Sequence, residues 1–191
     1  MRALLFPVTL LVGVAFAQLS PEQMKPWEEA DRAVLRLPPN AFTELPAGIV
    51  AELNRRGCTI PQAGIAGVVE GPHNVIKGHF MKPGQMDWAV LCSVNRVSSI
   101  LIFWNGSPSN ASEIEKREDI IQLQGVGENR IAYSRLITPA GAKFIQERAV
   151  GNAGPEPPPL DHQGINDAFL EKGSEVEYFY NGGWLSLSGD D

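Results

Sequence analysis

The chain has 191 residues, a formal net charge of −6 and a charged fraction of 20%. That length suits one domain with a real core rather than two, and a moderately acidic chain without a Lys/Arg cluster excludes a general nucleic-acid binder. Glycine and proline are numerous, at 19 and 15 residues, so turns are many.

The first seventeen residues have the order of a secretory signal. Arg2 precedes an apolar run from Ala3 to Phe16, and Ala15-Phe16-Ala17 places small residues where a signal peptidase reads. The run falls short of the about 20 apolar residues a membrane span needs; the alternative is a buried N-terminal helix. The expectation is a mature chain starting near Gln18, with no transmembrane segment, secreted or held in a periplasm. In such an oxidising compartment the two cysteines, Cys58 and Cys92, most simply pair, the alternative being two buried thiols. The apolar setting "AVLCSV" argues against Cys92 as a reactive thiolate.

Residues 20–37 predict a helix. Ser20-Pro21-Glu22-Gln23 supplies a cap, a proline at the first position and a capping-box glutamine, and Met24, Trp27, Ala30, Val34 and Leu37 make one apolar stripe. A second helix from Pro46 carries Ile49, Val50 and Leu53 inward and stops at Gly57. The period then becomes strand-like: Val75–Phe80, Trp88–Val94 and Ser98–Trp104, joined by hairpin-length loops. The second and third of these strands are apolar on both sides, so both faces are covered. The two helices are expected over one face, clamped there by a Cys58–Cys92 bridge.

Residues 105–118 read as a polar surface loop, with glycosylation patterns at Asn105 and Asn110. Strand-like runs return at 120–123, 131–137 and 142–149, the last two joined by the turn Thr138-Pro139-Ala140-Gly141. A proline-rich surface connection over 151–160 follows. The chain closes in a hairpin, 174–180 and 184–187, turned by Asn181-Gly182-Gly183, with Val176, Tyr178 and Tyr180 on one face and Glu175 and Glu177 on the other. Two glutamates so spaced read as a wetted face. The whole predicts a single α+β domain over 18–191, two N-terminal helices packed on a mainly antiparallel sheet; a β-sandwich or partial propeller-like arrangement is the alternative.

"GHFMKPGQMDWAV" resembles the calcium-binding hairpin of FG-GAP or VCBS-type propeller blades through Gly78, Phe80, Gly84, Asp87, Ala89 and Val90. That family's alternate loop positions supply carboxylates, which here are His79, Met81 and Pro83. A hard cation needs six or more oxygens, so the resemblance implies the shape without the metal site. Asp87 is then expected to cap backbone amides. The segments "RGCTIPQ", "NVIKGHF", "DWAVLCS" and "LDHQGINDAFLEKGSEVEYFYNGGW" resemble a family of secreted bacterial proteins without an assigned activity. The resemblance implies a stand-alone exported domain and carries no catalytic residue with it.

The chemistry-bearing residues are sparse. Asp161, His162, Gln163, Asn166 and Asp167 cluster after the prolines. Asp161, Gln163 and Asp167 offer oxygens for a metal, while Asp161 serves equally as a helix N-cap before Ile165, Ala168 and Phe169. A hydrolase set of Asp161, His162 and Asp167, with His79 and Asp87, is the catalytic candidate, although no nucleophile motif accompanies it. No cofactor motif is found. The leading reading is an exported non-enzymatic protein that binds a protein partner or an extracytoplasmic ligand; the others are that hydrolase and a calcium-dependent surface module.

Overall fold

The computed structural model describes residues 20–67, 69–150 and 156–190. The secretory segment at 1–17 and much of the 151–160 connection lie outside the described residues. In chain order the elements are α1 (Pro21–Ala33), β1 (Arg36–Leu37), α2 (Ala47–Arg56), β2 (Ile60–Pro61), β3 (Val75–Gly78), β4 (Asp87–Val94), β5 (Val97–Phe103), β6 (Ser112–Glu118), β7 (Leu123–Gly125), β8 (Ile131–Tyr133), β9 (Arg135–Ala140), α3 (Ala142–Ala149), β10 (Gly164–Phe169), β11 (Gly173–Tyr180) and β12 (Gly183–Ser188). Every strand pair is antiparallel, and the fold is α+β. No described helix is long and apolar enough to cross a membrane.

Two four-stranded sheets, ordered β3-β4-β5-β6 and β12-β11-β10-β9, carry the architecture. The β4–β5 pair is buried on both faces, as its unbroken apolar run requires. On one face Trp88, Val90, Cys92, Leu101 and Phe103 pack with Ile49 and Leu53 of α2. On the other, Ala89, Leu91, Ile100 and Ile102 meet Ile137 and Ile165 of the second sheet. The second sheet's outer face, Val176, Tyr178 and Leu187, is covered by Ile145 of α3. The layers are therefore helix, sheet, sheet, helix.

This arrangement corrects the expectation that both N-terminal helices share a face. Trp27 and Ala30 of α1, with Val34 at its C-terminal cap, pack into the inter-sheet cluster with Leu123 and Tyr133, on the side opposite α2. The capping box forms as read: Gln23 N–H donates to Ser20 Oγ and Ser20 N–H donates to the Gln23 side chain. The helix ends sooner than its stripe suggests, because Leu37 joins β1 against Ile60 of β2. Gly57 closes α2 at φ 75°, where a side chain is strained. Cys58 and Cys92 are bridged at 5.2 Å between Cα atoms, fixing α2 to its sheet.

Several segments differ from their sequence reading. Residues 112–118 form β6, an edge strand whose exposed side reads as loop. The 120–123 run is a short 3₁₀ turn ending at Gln122, with only Leu123 entering β7. The 131–137 run is two strands, divided at Ser134 where the chain changes sheet. Residues 142–149 are α3 rather than a strand, in keeping with the helix-forming "AKFIQERA", and the expected hairpin at 138–141 is instead a strand running into that helix. The helix expected after Asp161 is β10. The final hairpin is as read, with Asn181 and Gly182 at φ 51° and 81° in its two-residue turn.

The Gly-x-Phe motif has a packing reason. A Cβ on Gly78 would lie 2.8 Å from both the Phe80 ring and Gln163 Oε1, so the ring folds back over a position that must stay bare. Gly164 is equally constrained, its hypothetical Cβ falling 2.6 Å from Val176 Cγ1 and 3.0 Å from the Glu177 carbonyl oxygen. Gly164→Ala is expected to lower stability by about 1–3 kcal/mol in urea titration, because β10 and β11 must separate. Cys58→Ser/Cys92→Ser is expected to cost about 3–4 kcal/mol, with reductant lowering the parent to the same level and leaving the double variant unmoved.

Candidate functional site

The residues singled out from the sequence are mostly occupied by structural contacts. Asp87 is fully buried and accepts from the backbone N–H groups of Phe80, Met81 and Asn105 and from Gln85 Nε2, at 2.7–3.1 Å. It is the amide cap expected of it. His79 does not bond Asp87: its Nδ1 donates to the Gln85 carbonyl at 2.7 Å. Carbonyl oxygens only accept, so this bond fixes the tautomer. His162 likewise donates from Nδ1 to a carbonyl, that of Gln163, and its ring stacks 4.3 Å from Tyr178.

The Asp161–Asp167 group is spread out rather than gathered. Asp161 is exposed at the start of the segment, with Oδ1 3.8 Å from His162 Nε2. Gln163 Oε1 accepts from His79 N–H at 3.0 Å, while Gln163 N–H donates to the His79 carbonyl at 2.8 Å, lacing β3's extension to β10. Asn166 sits on the outer face, its Nδ2 donating to Thr138 Oγ1. Asp167 points inward and grips Arg135 through two bonds, at 2.9 and 2.8 Å. Asp161 lies exposed before the bend at His162, whereas Asp167 lies buried within β10 with both carboxylate oxygens held by Arg135. Among the described residues they do not gather with His162 as a ligand set. The metal set read from the loop is thus replaced by a buried ion pair.

A different group does converge. Glu115, Glu175 and Glu177 place carboxylate oxygens within 4.8 Å of one another. Two structural devices bring them together. On β11, alternation sends Val176 and Tyr178 outward to α3 and so turns Glu175, Glu177 and Phe179 toward the facing sheet. On β6, the register slips opposite Ser98–Ile100, and Glu115 takes φ 52° in that bulge. A bulge of this kind re-aims a side chain that a regular strand would point elsewhere. The Glu115 carbonyl meanwhile accepts from Arg135 Nη2 at 2.8 Å, so the buried ion pair holds the bulge in place.

The three carboxylates differ in setting. Glu175 is 57% exposed and Glu115 27% exposed, whereas Glu177 retains 3%. The wetted face expected of Glu175 and Glu177 is therefore corrected: they face an adjoining sheet, and only its edge is open to water. Arg117 bridges Glu115 and Glu175 through their Oε2 atoms. Glu177 Oε1 is buried without a hydrogen-bond partner among the described residues. Burial, followed by the charges of Glu115, Glu175 and Asp167, pushes the Glu177 carboxyl up to about 7, against a hydrogen bond from Ser186. On β12, Ser186 is exposed and Trp184 stacks 5.8 Å from Trp104.

Sequence reasoning missed this cluster because its members lie on strands some sixty residues apart and one of those strands read as loop. The available signal was the Glu-x-Glu spacing opposite an apolar face. Of the cavities, the one of about 420 Å³ between α1 and β8 is walled largely by Ala30, Val34, Leu35 and Ala132. Its glutamine, Gln62, is fully used by Ile60 and His73. Comparisons with family models, curated proteins and solved structures return no match.

Two outcomes follow from this geometry. Asp167→Asn is expected to cost about 3–5 kcal/mol in urea titration, since it strips Arg135 of its buried counter-charge. For Glu177, a folded value near 7 against an ordinary 4.5 means the folded chain holds this proton to higher pH. The associated stability is full below about pH 4.5 and is lost as pH rises to about 7. The groups facing it are Glu115 and Arg117 of β6, Asp167 of β10, Arg135 of β9 and Glu175 of β11. In metal-free buffer Glu177→Gln is expected to match the parent near pH 4 and melt progressively higher through pH 7. Parallel melting curves across that range check this.

Proposed function

We propose that the protein is an exported, non-enzymatic binding domain that takes a positively charged extracytoplasmic ligand at the open edge between its two sheets. The observation that carries the reading is the buried, unpartnered Glu177 Oε1 at the base of a three-carboxylate cluster. Buried polar atoms normally have partners, and a carboxylate kept apart from one suits an arriving cation. The secretory order of the first seventeen residues and the Cys58–Cys92 bridge support the exported setting. The ligand is of small-molecule or ionic size, because the carboxylates converge on one point rather than along a surface.

Catalysis is less well supported. Two nearby glutamates, one with a raised pKa, are the ingredients of a glycosidase pair. A general acid must come within about 3 Å of the leaving oxygen, however, and Glu177 is only 3% exposed. Of the hydrolase set, Asp161 stays exposed, His162 stacks on Tyr178 and Asp167 is committed to the ion pair with Arg135.

The test is carboxyl-detected NMR of the glutamate-labelled mature chain, titrated separately with spermidine and with calcium chloride. At least one probe is expected to move the Glu115, Glu175 and Glu177 resonances together. Silence of all three with both probes overturns the reading. Expression of the whole chain in an exporting bacterial host is expected to yield extracytoplasmic protein starting at Gln18.

A further inference from the structure

We infer that the Glu115–Glu175–Glu177 cluster is a binding site for a hard divalent cation, with calcium the ion it favours. The inference rests on the positive-ligand reading above and names its chemistry. The donor set consists of oxygen alone, with no histidine or cysteine among the three residues. Such a set suits calcium, magnesium or manganese and disfavours zinc or copper.

Ligand number selects among the hard ions. Calcium accepts several carboxylates in flexible geometry with six to eight oxygens, whereas magnesium is usually held by one or two and keeps most of its waters. The cluster offers three carboxylates with oxygens within 4.8 Å of one another, which favours calcium. Charge agrees. Asp167 and Arg135 cancel as a bonded pair, and with Glu177 ionised three glutamates less Arg117 leave a net −2, which one divalent ion neutralises.

The independent observation is Glu177 itself. It is 3% exposed, its Oε1 has no partner among the described residues, and it is directed into the cluster. Hydrogen bonding within the cluster does not account for it, because Arg117 engages only the Oε2 atoms of Glu115 and Glu175. Glu177 Oε1 is left without a partner among the described residues. The exposed side, where Glu175 is 57% accessible, admits the waters that complete a coordination shell of six to eight. Glu115 and Arg117 belong to one sheet and Glu175 and Glu177 to the other, so an ion here ties the two layers at their open edge.

The experiment is calorimetric titration and thermal melting of the chelator-treated mature chain with calcium chloride, magnesium chloride, spermidine and sodium chloride at matched ionic strength. Calcium is expected to bind with one-site stoichiometry and raise the melting temperature saturably, with magnesium weaker. Glu175→Gln, at an exposed position that preserves shape, is expected to fold normally and raise the calcium Kd about tenfold or more. Glu177→Gln, whose fold is checked by its own melt, is expected to abolish the calcium shift. An effect reproduced by sodium chloride, or a calcium Kd unchanged by Glu175→Gln, overturns the inference. If spermidine binds at the cluster and calcium does not, the inference falls while the binding reading stands. If neither binds, both fall.

Discussion

The β4–β5 pair is apolar on both sides, and that constraint shapes the rest of the molecule. Fully buried strands need cover on each face. One cover is α2, which precedes the pair in the chain and is pinned to Cys92 through the disulfide at Cys58. The other cover must come from the C-terminal half, since α1 alone closes only the end around Tyr133. A second sheet docking on the first then exposes an outer face of its own, which α3 covers. Helix, sheet, sheet and helix follow as a sequence of burials, each made necessary by the last.

Docking two sheets puts polar groups inside, and most of them are finished with care. Asn74, fully buried at φ 69°, donates to the carbonyls of Pro61 and Arg135 and accepts from Ile137 N–H, stitching β2, β3 and β9 together. Arg135 is fully buried and bonds Asp167, Ser98 and the Glu115 carbonyl, crossing from one sheet to the other. Such a pair adds little net stability relative to an apolar core, yet losing one partner strands a charge, so it fixes register more than it adds energy. Its grip on the Glu115 carbonyl also sustains a bulge with a non-glycine residue at positive φ, a conformation that costs on the order of 1–3 kcal/mol.

Against that background the acidic cluster stands apart. The ion pair beside it is closed and satisfied, whereas Glu177 is partly unpartnered and pushed toward neutrality by burial first and then by three other carboxylates. The same strand alternation that delivers Tyr178 to the outer core delivers Glu177 to the inner edge. Chemistry collects where the two sheets stop overlapping, because there inward-facing side chains meet both protein and water.

Much of the local structure was written in the chain itself. The capping box at Ser20, the Gly57 stop, the two-faced strands, the Asp87 cap and the Asn181-Gly182 turn are short-range devices whose energetics involve neighbours in sequence. The bridging of Cys58 and Cys92 was the simplest reading of a two-cysteine chain whose first residues have the order of a secretory signal. What sequence could not decide was which side of each element would meet which partner. α1 and α2 carry similar stripes but cover opposite faces; 142–149 has apolar residues compatible with either period; and β6 reads as loop because an edge strand buries little. The cluster of Glu115, Glu175 and Glu177 belongs wholly to tertiary structure. Two glutamates on one face are solvated until another sheet arrives above them, and only packing between distant strands decides that it does.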